Sequence, residues 1–210
     1  MSDAAARARE ILADARAMIA GSHVVYTSGK HGSAYVNKDA VYPHTERVAE
    51  LCELLAESVR GLAAEVVCGP ALGGIILSQW TAHSLGALAV FAEKLPAGGL
   101  ALRRGYDRLV AGRRVVVVED VLNTGGSVRD TVAAVRAAGG EPVAVAALCN
   151  RGGVTAAALD VPHLRALMEL SLESWDAASC PLCRDGVPVD TDVGKGREFL
   201  AAQAAERPAG

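Results

Sequence analysis

A chain of 210 residues, 51% of them apolar, can bury one substantial core, so one domain with appendages is expected rather than two full domains. A formal charge of −3, with no basic stripe in the residue order, argues against a nucleic-acid or membrane-surface binder. No run reaches the roughly 18 apolar residues of a membrane span. Of the five cysteines only Cys180 and Cys183 are closely spaced, unlike a secreted disulfide framework, so a reducing, cytoplasmic setting is expected.

Residues 1–20 interleave charges with alanine, the pattern of an amphipathic helix and not of a signal peptide. HVVYTSGKHGSAYVNKD (23–39) alternates short apolar runs with Ser-Gly and His-Gly turn signals, which predicts a hairpin or small hood. Thr45 is expected to cap a helix from Glu46 to about Leu62, on which Val48, Leu51, Leu55 and Val59 recur at helical spacing. EVVC (65–68) reads as a strand, GPALGG (69–74) as its loop, and IILSQWTAHSL (75–85) as a helix closed by Gly86.

ALAVF (87–91) gives a further strand, and the Pro-, Gly- and Arg-bearing connection 92–114 has the composition of a mobile lid. The run VVVVED (115–120) suits a strand covered on both faces. A helix over 127–140 follows, with Val128, Val132 and Val135 on one face and capping-box spacing between Ser127 and Asp130. PVAVAAL (142–148) is strand-like again. This alternation predicts βαβ units around a parallel sheet of four or five strands. CPLCRDGVPVDTDVGKGREFL (180–200) breaks the alternation and reads as an appendage, giving a main domain over 1–175 and an appendage over 176–210.

The chemistry concentrates where the valine strand ends. In open α/β sheets ligands bind at the carboxyl ends of strands, which is where Glu119 and Asp120 arrive. The small residues after them let backbone N–H groups crowd around an anion at the positive end of the next helix. Neither the Walker pattern nor the dinucleotide fingerprint is present, which removes support for ATPase and NAD readings. A ribose 5-phosphate satisfies both halves: its phosphate in Asn123, Thr124, Gly125, Gly126 and Ser127, its hydroxyls donating to Glu119 and Asp120, and Mg²⁺ nearby.

VVVVEDVLNTGGS (115–127) resembles the PRPP-binding signature of type I phosphoribosyltransferases. YTSGKHGSAYVNK (26–38) is similar to the hood motif of the orotate phosphoribosyltransferases, VVCGPALGGI (66–75) to their pyrophosphate loop, and FAEK (91–94) to the start of their mobile loop. The resemblance implies an α/β fold of the type I phosphoribosyltransferase kind, a parallel sheet flanked by helices with a hood and a C-terminal appendage. It implies an Mg²⁺-dependent transfer of phosphoribose from PRPP to a nucleobase, orotate first, within pyrimidine nucleotide biosynthesis, by a homodimer.

Residue by residue, it assigns Glu119, Asp120 and Lys94 to catalysis, with magnesium held through the substrate near the two acids. Ala71, Leu72 and Gly73, with Arg103 and Arg104 closing from the lid or from a neighbouring subunit, would hold the pyrophosphate. Asn123 and Arg151 would face the base, shielded by Ser28, Lys30 and Tyr35 of the hood. An arginine grips a planar carboxylate with two parallel hydrogen bonds, which suits orotate. The chain departs from the family in carrying Gly73 and Thr27 in place of lysines and Glu93 in place of an arginine. Two other functions fit the same cradle: transfer to another heterocyclic base, and a PRPP-sensing regulator without turnover.

Cys180-x-x-Cys183 suits half of a tetrahedral zinc site. Cys149, His163 or Cys68 are the expected candidates for the other half, buried cysteines at a turn being the alternative; His31, His44 and His83 are expected to be structural or surface residues.

Overall fold

The computed structural model describes residues 3–170 and 172–206. Helix α1 (Asp3–Asp14) leads into a hairpin of β1 (Met18–Val25) and β2 (His31–Val36), then α2 (Thr45–Val59), β3 (Val66–Pro70), α3 (Gly73–Leu85) and β4 (Leu88–Lys94). There follow β5 (Leu100–Leu102), α4 (Tyr106–Val110), β6 (Arg114–Leu122), α5 (Gly126–Ala137), β7 (Glu141–Asn150) and β8 (Leu164–Glu169). The chain closes with β9 (Ser174–Trp175), α6 (Pro181–Arg184) and α7 (Gly196–Glu206). Among the described residues no helix is long and apolar enough to cross a membrane.

The chain divides into two compact units, one of Met1–Ile11 with Tyr42–Ser171 and one of Leu12–Val41 with Leu172–Gly210. The hood hairpin and the C-terminal segment therefore share a unit; the sequence reading has the segment as an appendage packed on the domain, 1–175, that includes the hood.

The first unit is built on a six-stranded sheet in the order β5-β4-β3-β6-β7-β8. Five strands are parallel, and β5 pairs antiparallel with β4 at the edge. Strand alternation sorts the core into two layers. Val66, Cys68, Val115, Val117, Val145 and Ala147 form one cluster with Val128, Val132 and Val135 of α5. The alternate residues Val67, Val116, Val118, Ala144 and Ala146 are also buried, and α2 and α3 pack on the sheet and on each other. At about 25 cal/mol per Å² of apolar surface, burial on both faces is what makes a run of valines a central strand.

Several local expectations are corrected. The first helix stops at Asp14: Arg16 takes a positive φ of 53° and Met18–Ala20 pair with Val36–Ala34 in β1, so the tertiary ladder wins over helical periodicity there. Thr45 is the first residue of α2, and His44 stands at the cap position without a side-chain bond. Helix α5 begins one residue before Ser127, with Gly125 at its cap in the left-handed region, so Ser127 and Asp130 form no capping box. The connection 92–114 carries regular structure: β4 and β5 form a hairpin, α4 follows, and Leu100, Leu102 and Tyr106 pack on the core. Gly86 ends α3 in the left-handed conformation, as expected.

The second unit carries a small sheet, β1-β2-β9, all antiparallel. The C-terminal segment runs against β1: Asp190 N–H donates to the His23 carbonyl at 2.8 Å, and Lys195 N–H to the Val25 carbonyl at 2.8 Å. Gly194 makes this approach possible, since a Cβ there would lie 2.3 Å from the Val25 carbonyl oxygen.

Candidate active site

Strand order fixes where the site can be. From β3 the chain moves through α3 to β4 on one side; from β6 it moves through α5 to β7 on the other, so β3 and β6 flank the point where the winding reverses. Loops leaving such a pair diverge and open a crevice at the carboxyl ends. The ladder shows the opening. Between β3 and β6 the pairing stops at Cys68 with Val117, while β6 stays paired with β7 as far as Leu122 with Asn150.

Glu119 and Asp120 sit on this extension, 8% and 4% exposed. Glu119 lines a cleft of about 210 Å³ together with Val121–Val128, which includes all of Asn123–Ser127. That is below the roughly 300–1,000 Å³ of a site enclosing a whole drug-sized ligand, and fits one end of a substrate. Asp120 is not among the lining residues. Its Oδ2 accepts from the Tyr42 hydroxyl at 3.1 Å, and that hydroxyl is also 3.3 Å from the Gly73 carbonyl. Adjacent strand residues point to opposite faces, so the two acids read as a pair in sequence serve different walls of the crevice.

The turn after β6 is shaped by close approaches. Gly125 has φ +73°, and a Cβ on it would lie 2.9 Å from the Leu159 side chain. A Cβ on Gly152 would lie 1.5 Å from the Asn123 carbonyl oxygen, so only glycine lets the loop after β7 rest on the turn. Arg151 and Gly152 both donate backbone N–H groups to the Leu122 carbonyl, at 2.9 and 3.0 Å. The buried Asn150 side chain secures the same loop, donating to the Val154 carbonyl at 2.9 Å and accepting its N–H at 3.0 Å. Arg151 is thereby brought beside Asn123. With no side-chain cap on α5, the first-turn N–H groups remain directed at the cleft, an arrangement suited to a phosphate.

The loop after β3 is equally tight: a Cβ on Gly69 would meet the Gly74 carbonyl oxygen at 2.1 Å. Ala71 N–H donates to the Ala92 carbonyl at 2.8 Å, so, among the described residues, Leu72 and Gly73 at the uncapped start of α3 are the members of the predicted trio whose N–H groups stay available. The Ala71–Leu72 peptide is cis. Lys94 ends β4, next to β3, and is exposed. Arg103 is exposed. Arg104 turns its guanidinium onto Glu93, Nε to Oε1 at 2.7 Å, and lies 5.7 Å over the Phe91 ring.

Ser28, Lys30 and Tyr35 belong to the second unit. Lys30 pairs there with Asp176 at 3.1 Å, its N–H lies 3.5 Å from the Ser28 hydroxyl, and Tyr35 pairs with Ile19 in the hairpin. Sequence reasoning missed Tyr42, Asn150 and Gly152. Only Gly152 carried a signal, the Arg-Gly-Gly turn; Tyr42 gains its role from a contact 78 residues away.

For metals, the carboxylate oxygens of Glu119 and Asp120 are hard donors of the kind Mg²⁺ takes, one on each wall of the crevice. A softer set lies in the second unit, where His23, His31, Cys180 and Cys183 converge. The residues that converge on the Cys-x-x-Cys pair are His23 and His31 and not Cys68, Cys149 or His163; burial pushes the Cys68 thiol up to about 12 and the Cys149 thiol to about 11. Burial, followed by the neighbouring His23, holds the His31 imidazole below its ordinary value, so His31 is neither a surface residue nor readily charged.

Comparison with known proteins agrees with this geometry. Residues 37–160 match the family model described as phosphoribosyl transferase domain. The orotate phosphoribosyltransferase of Desulforamulus reducens is 39% identical over 179 residues, 85% of this chain and 91% of that one. The crystal structure of Mycobacterium tuberculosis H37Rv orotate phosphoribosyltransferase in complex with inorganic phosphate superposes with a TM-score of 0.63 at 26% identity, covering 80% of this chain and 96% of that one. The same mycobacterial protein in complex with 5-phospho-alpha-D-ribosyl 1-diphosphate gives 0.58 at 25% identity, covering 80% and 90%. A crevice at the winding reversal of β3 and β6, a family match across more than half the chain and relatives aligned over nine-tenths of their own length converge: the chain belongs to the phosphoribosyltransferase family, on its orotate phosphoribosyltransferase branch.

Proposed function

We propose that this chain transfers the phosphoribosyl group of PRPP to orotate, giving a nucleoside 5-monophosphate and pyrophosphate. The observation that carries the proposal is the uncapped, glycine-shaped turn Asn123–Ser127, which lines one cleft with Glu119 at the end of β6. A nitrogen of the base bonds to C1 of the ribose as the C1–oxygen bond breaks, the electron pair leaves with the pyrophosphate, and the proton that nitrogen carried is released to solvent or to the pyrophosphate. The ribose becomes oxocarbenium-like while negative charge grows on the leaving group, so the site must stabilise both signs a few ångströms apart.

The residues divide that work. Backbone N–H groups of the α5 first turn hold the 5-phosphate. Glu119, on the cleft wall, accepts from ribose hydroxyls, and Asp120, oriented by Tyr42, places a second carboxylate beside the developing positive charge. The N–H groups of Leu72 and Gly73 with the Lys94 ammonium receive the pyrophosphate, and Arg103 adds charge from the segment before α4. Arg151, seated next to Asn123, grips the carboxylate of the base. Magnesium bound through the substrate would act as a Lewis acid and template on the pyrophosphate, and the acid pair fits it by donor chemistry. Family resemblance also supports a homodimer and a cytoplasmic setting.

The test is to mix the protein with PRPP and Mg²⁺, screen a panel of bases, and follow pyrophosphate release together with nucleotide formation. Turnover with orotate is expected. Turnover with a different base alone would reassign the acceptor, and PRPP binding with no turnover on any base would sink the proposal in favour of a sensor.

A further inference from the structure

The geometry points to a structural zinc site in the second unit, formed by His23, His31, Cys180 and Cys183. The four ligand atoms all lie within 4.8 Å of one another. His23 Nε2 is 2.8 Å from His31 Nδ1, Cys183 Sγ is 3.3 Å from His31 Nδ1, and both sulfurs are 3.7 Å from His23 Nε2. A zinc tetrahedron with Zn–N of about 2.0–2.1 Å and Zn–S of about 2.3 Å has edges of about 3.3–3.8 Å. Four of the six ligand–ligand distances therefore fall within about half an ångström of an occupied site, and the widest, no more than 4.8 Å, would close by about 1 Å on binding.

Orientation supports the same reading. His23 Nδ1 lies 2.8 Å from the Val187 carbonyl, which makes that nitrogen the N–H donor and leaves the Nε2 lone pair facing the cluster. A backbone carbonyl fixing the outer nitrogen is the usual partner of a metal-bound imidazole. His31 presents Nδ1 inward and stacks edge-to-face on Phe199, 4.6 Å between ring centroids. Its buried Nε2 has no hydrogen-bond partner among the described residues. Two imidazoles and two sulfurs packed this closely, with His23, His31 and Cys180 buried, are more than a turn lined with cysteines. Two nitrogens and two sulfurs in a tetrahedron select zinc over magnesium or calcium.

The fold explains how distant residues meet. In the hairpin Val25 faces His31 across the strands, so alternation puts His23 on the same side as His31. The C-terminal segment brings the Cys-x-x-Cys turn to that side, with Arg184 N–H donating to the Cys180 carbonyl at 3.2 Å. All four positions are filled by protein, which leaves no place for a substrate, so the metal staples the hood hairpin to the C-terminal segment and takes no part in chemistry. A unit of about 70 residues is in the size range where a small core is commonly reinforced by a metal.

The experiment is to purify the full chain from zinc-supplemented cells, remove loosely bound metal by gel filtration, and measure metal content by mass spectrometry. About one zinc per chain is expected, falling at least fivefold in Cys180→Ser and in Cys183→Ser and unchanged in Cys68→Ser. If the ligand variants fail to fold, the wild-type chain grown in cobalt decides: thiolate-to-cobalt charge transfer and intense tetrahedral d–d bands are expected. A metal-free wild-type chain, iron in place of zinc, zinc retained in both cysteine variants, or cobalt without thiolate bands would each overturn the assignment.

Discussion

The end of β6 and the His–Cys cluster are both polar sites in an apolar chain, yet they are made in opposite ways. At the end of β6 the donors are hard, carboxylate oxygens and backbone N–H groups, drawn mostly from one run, Glu119–Ser127. In the second unit they are imidazole nitrogens and thiol sulfurs brought together across 160 residues of chain. The first set suits ligands that come and go, a phosphate and a cation travelling with it; the second suits a cation that stays. Chelation separates them most strongly. EDTA is expected to stop turnover completely, with full recovery on adding Mg²⁺, while zinc content stays at about one per chain. Turnover that survives EDTA would erase the distinction.

The next effects lie within the β6 site and probe its two walls. Asp120→Asn keeps the shape but removes the charge beside the ribose, and kcat/KM should fall about 100- to 1,000-fold with an unchanged far-ultraviolet circular dichroism spectrum. Gly152→Ala acts through shape alone. Its new Cβ would fall 1.5 Å from the Asn123 carbonyl oxygen, so the phosphate turn must move by an ångström or more. A displacement of that size is worth about a hundredfold in rate, and less than a threefold loss would show that the turn does not hold the substrate. Tyr42→Phe removes the hydroxyl that touches both Asp120 and Gly73. A hydrogen bond to a charged group is worth about 1.5–3 kcal/mol, so a loss of at least about tenfold in kcat/KM is expected.

The same contrast explains what could be read in advance. Val115–Ser127 is contiguous, so strand, acids, turn and helix each left a local signal, and the parallel sheet followed from the alternation of such units. Tyr42 left none, because its partner Asp120 is brought to it by the packing of α2 and α3 on the sheet. Cys180 and Cys183 were legible as half of the proposed zinc site. Their partners were not, since His23 and His31 become neighbours only through the register of a hairpin, and their spacing of eight residues matches no local ligand motif. The capping box at Ser127 misled for a related reason. Its spacing was right, but Gly125, able to take φ +73°, begins the helix one residue earlier and leaves the N–H groups uncovered. A cap there would compete with the ligand.

The smallest effect is expected at Arg104, where sequence position and geometry disagree. Its place in the Arg-Gly connection suggests a phosphate ligand, yet its guanidinium is engaged by Glu93 at 2.6 Å and lies over Phe91. Reaching a pyrophosphate would require giving up both contacts, and Glu93 would then stand beside the incoming negative charge. The pair is largely solvent-exposed on the arginine side, and exposed pairs contribute between about 0 and 1 kcal/mol. Arg104→Ala should therefore change KM for PRPP by less than about threefold, whereas Arg103→Ala, whose side chain is not tied to Glu93, should raise it more. If instead Arg104→Ala raises KM by tenfold or more, the Glu93 pair opens when substrate binds, and Arg104 joins Lys94 in neutralising the pyrophosphate.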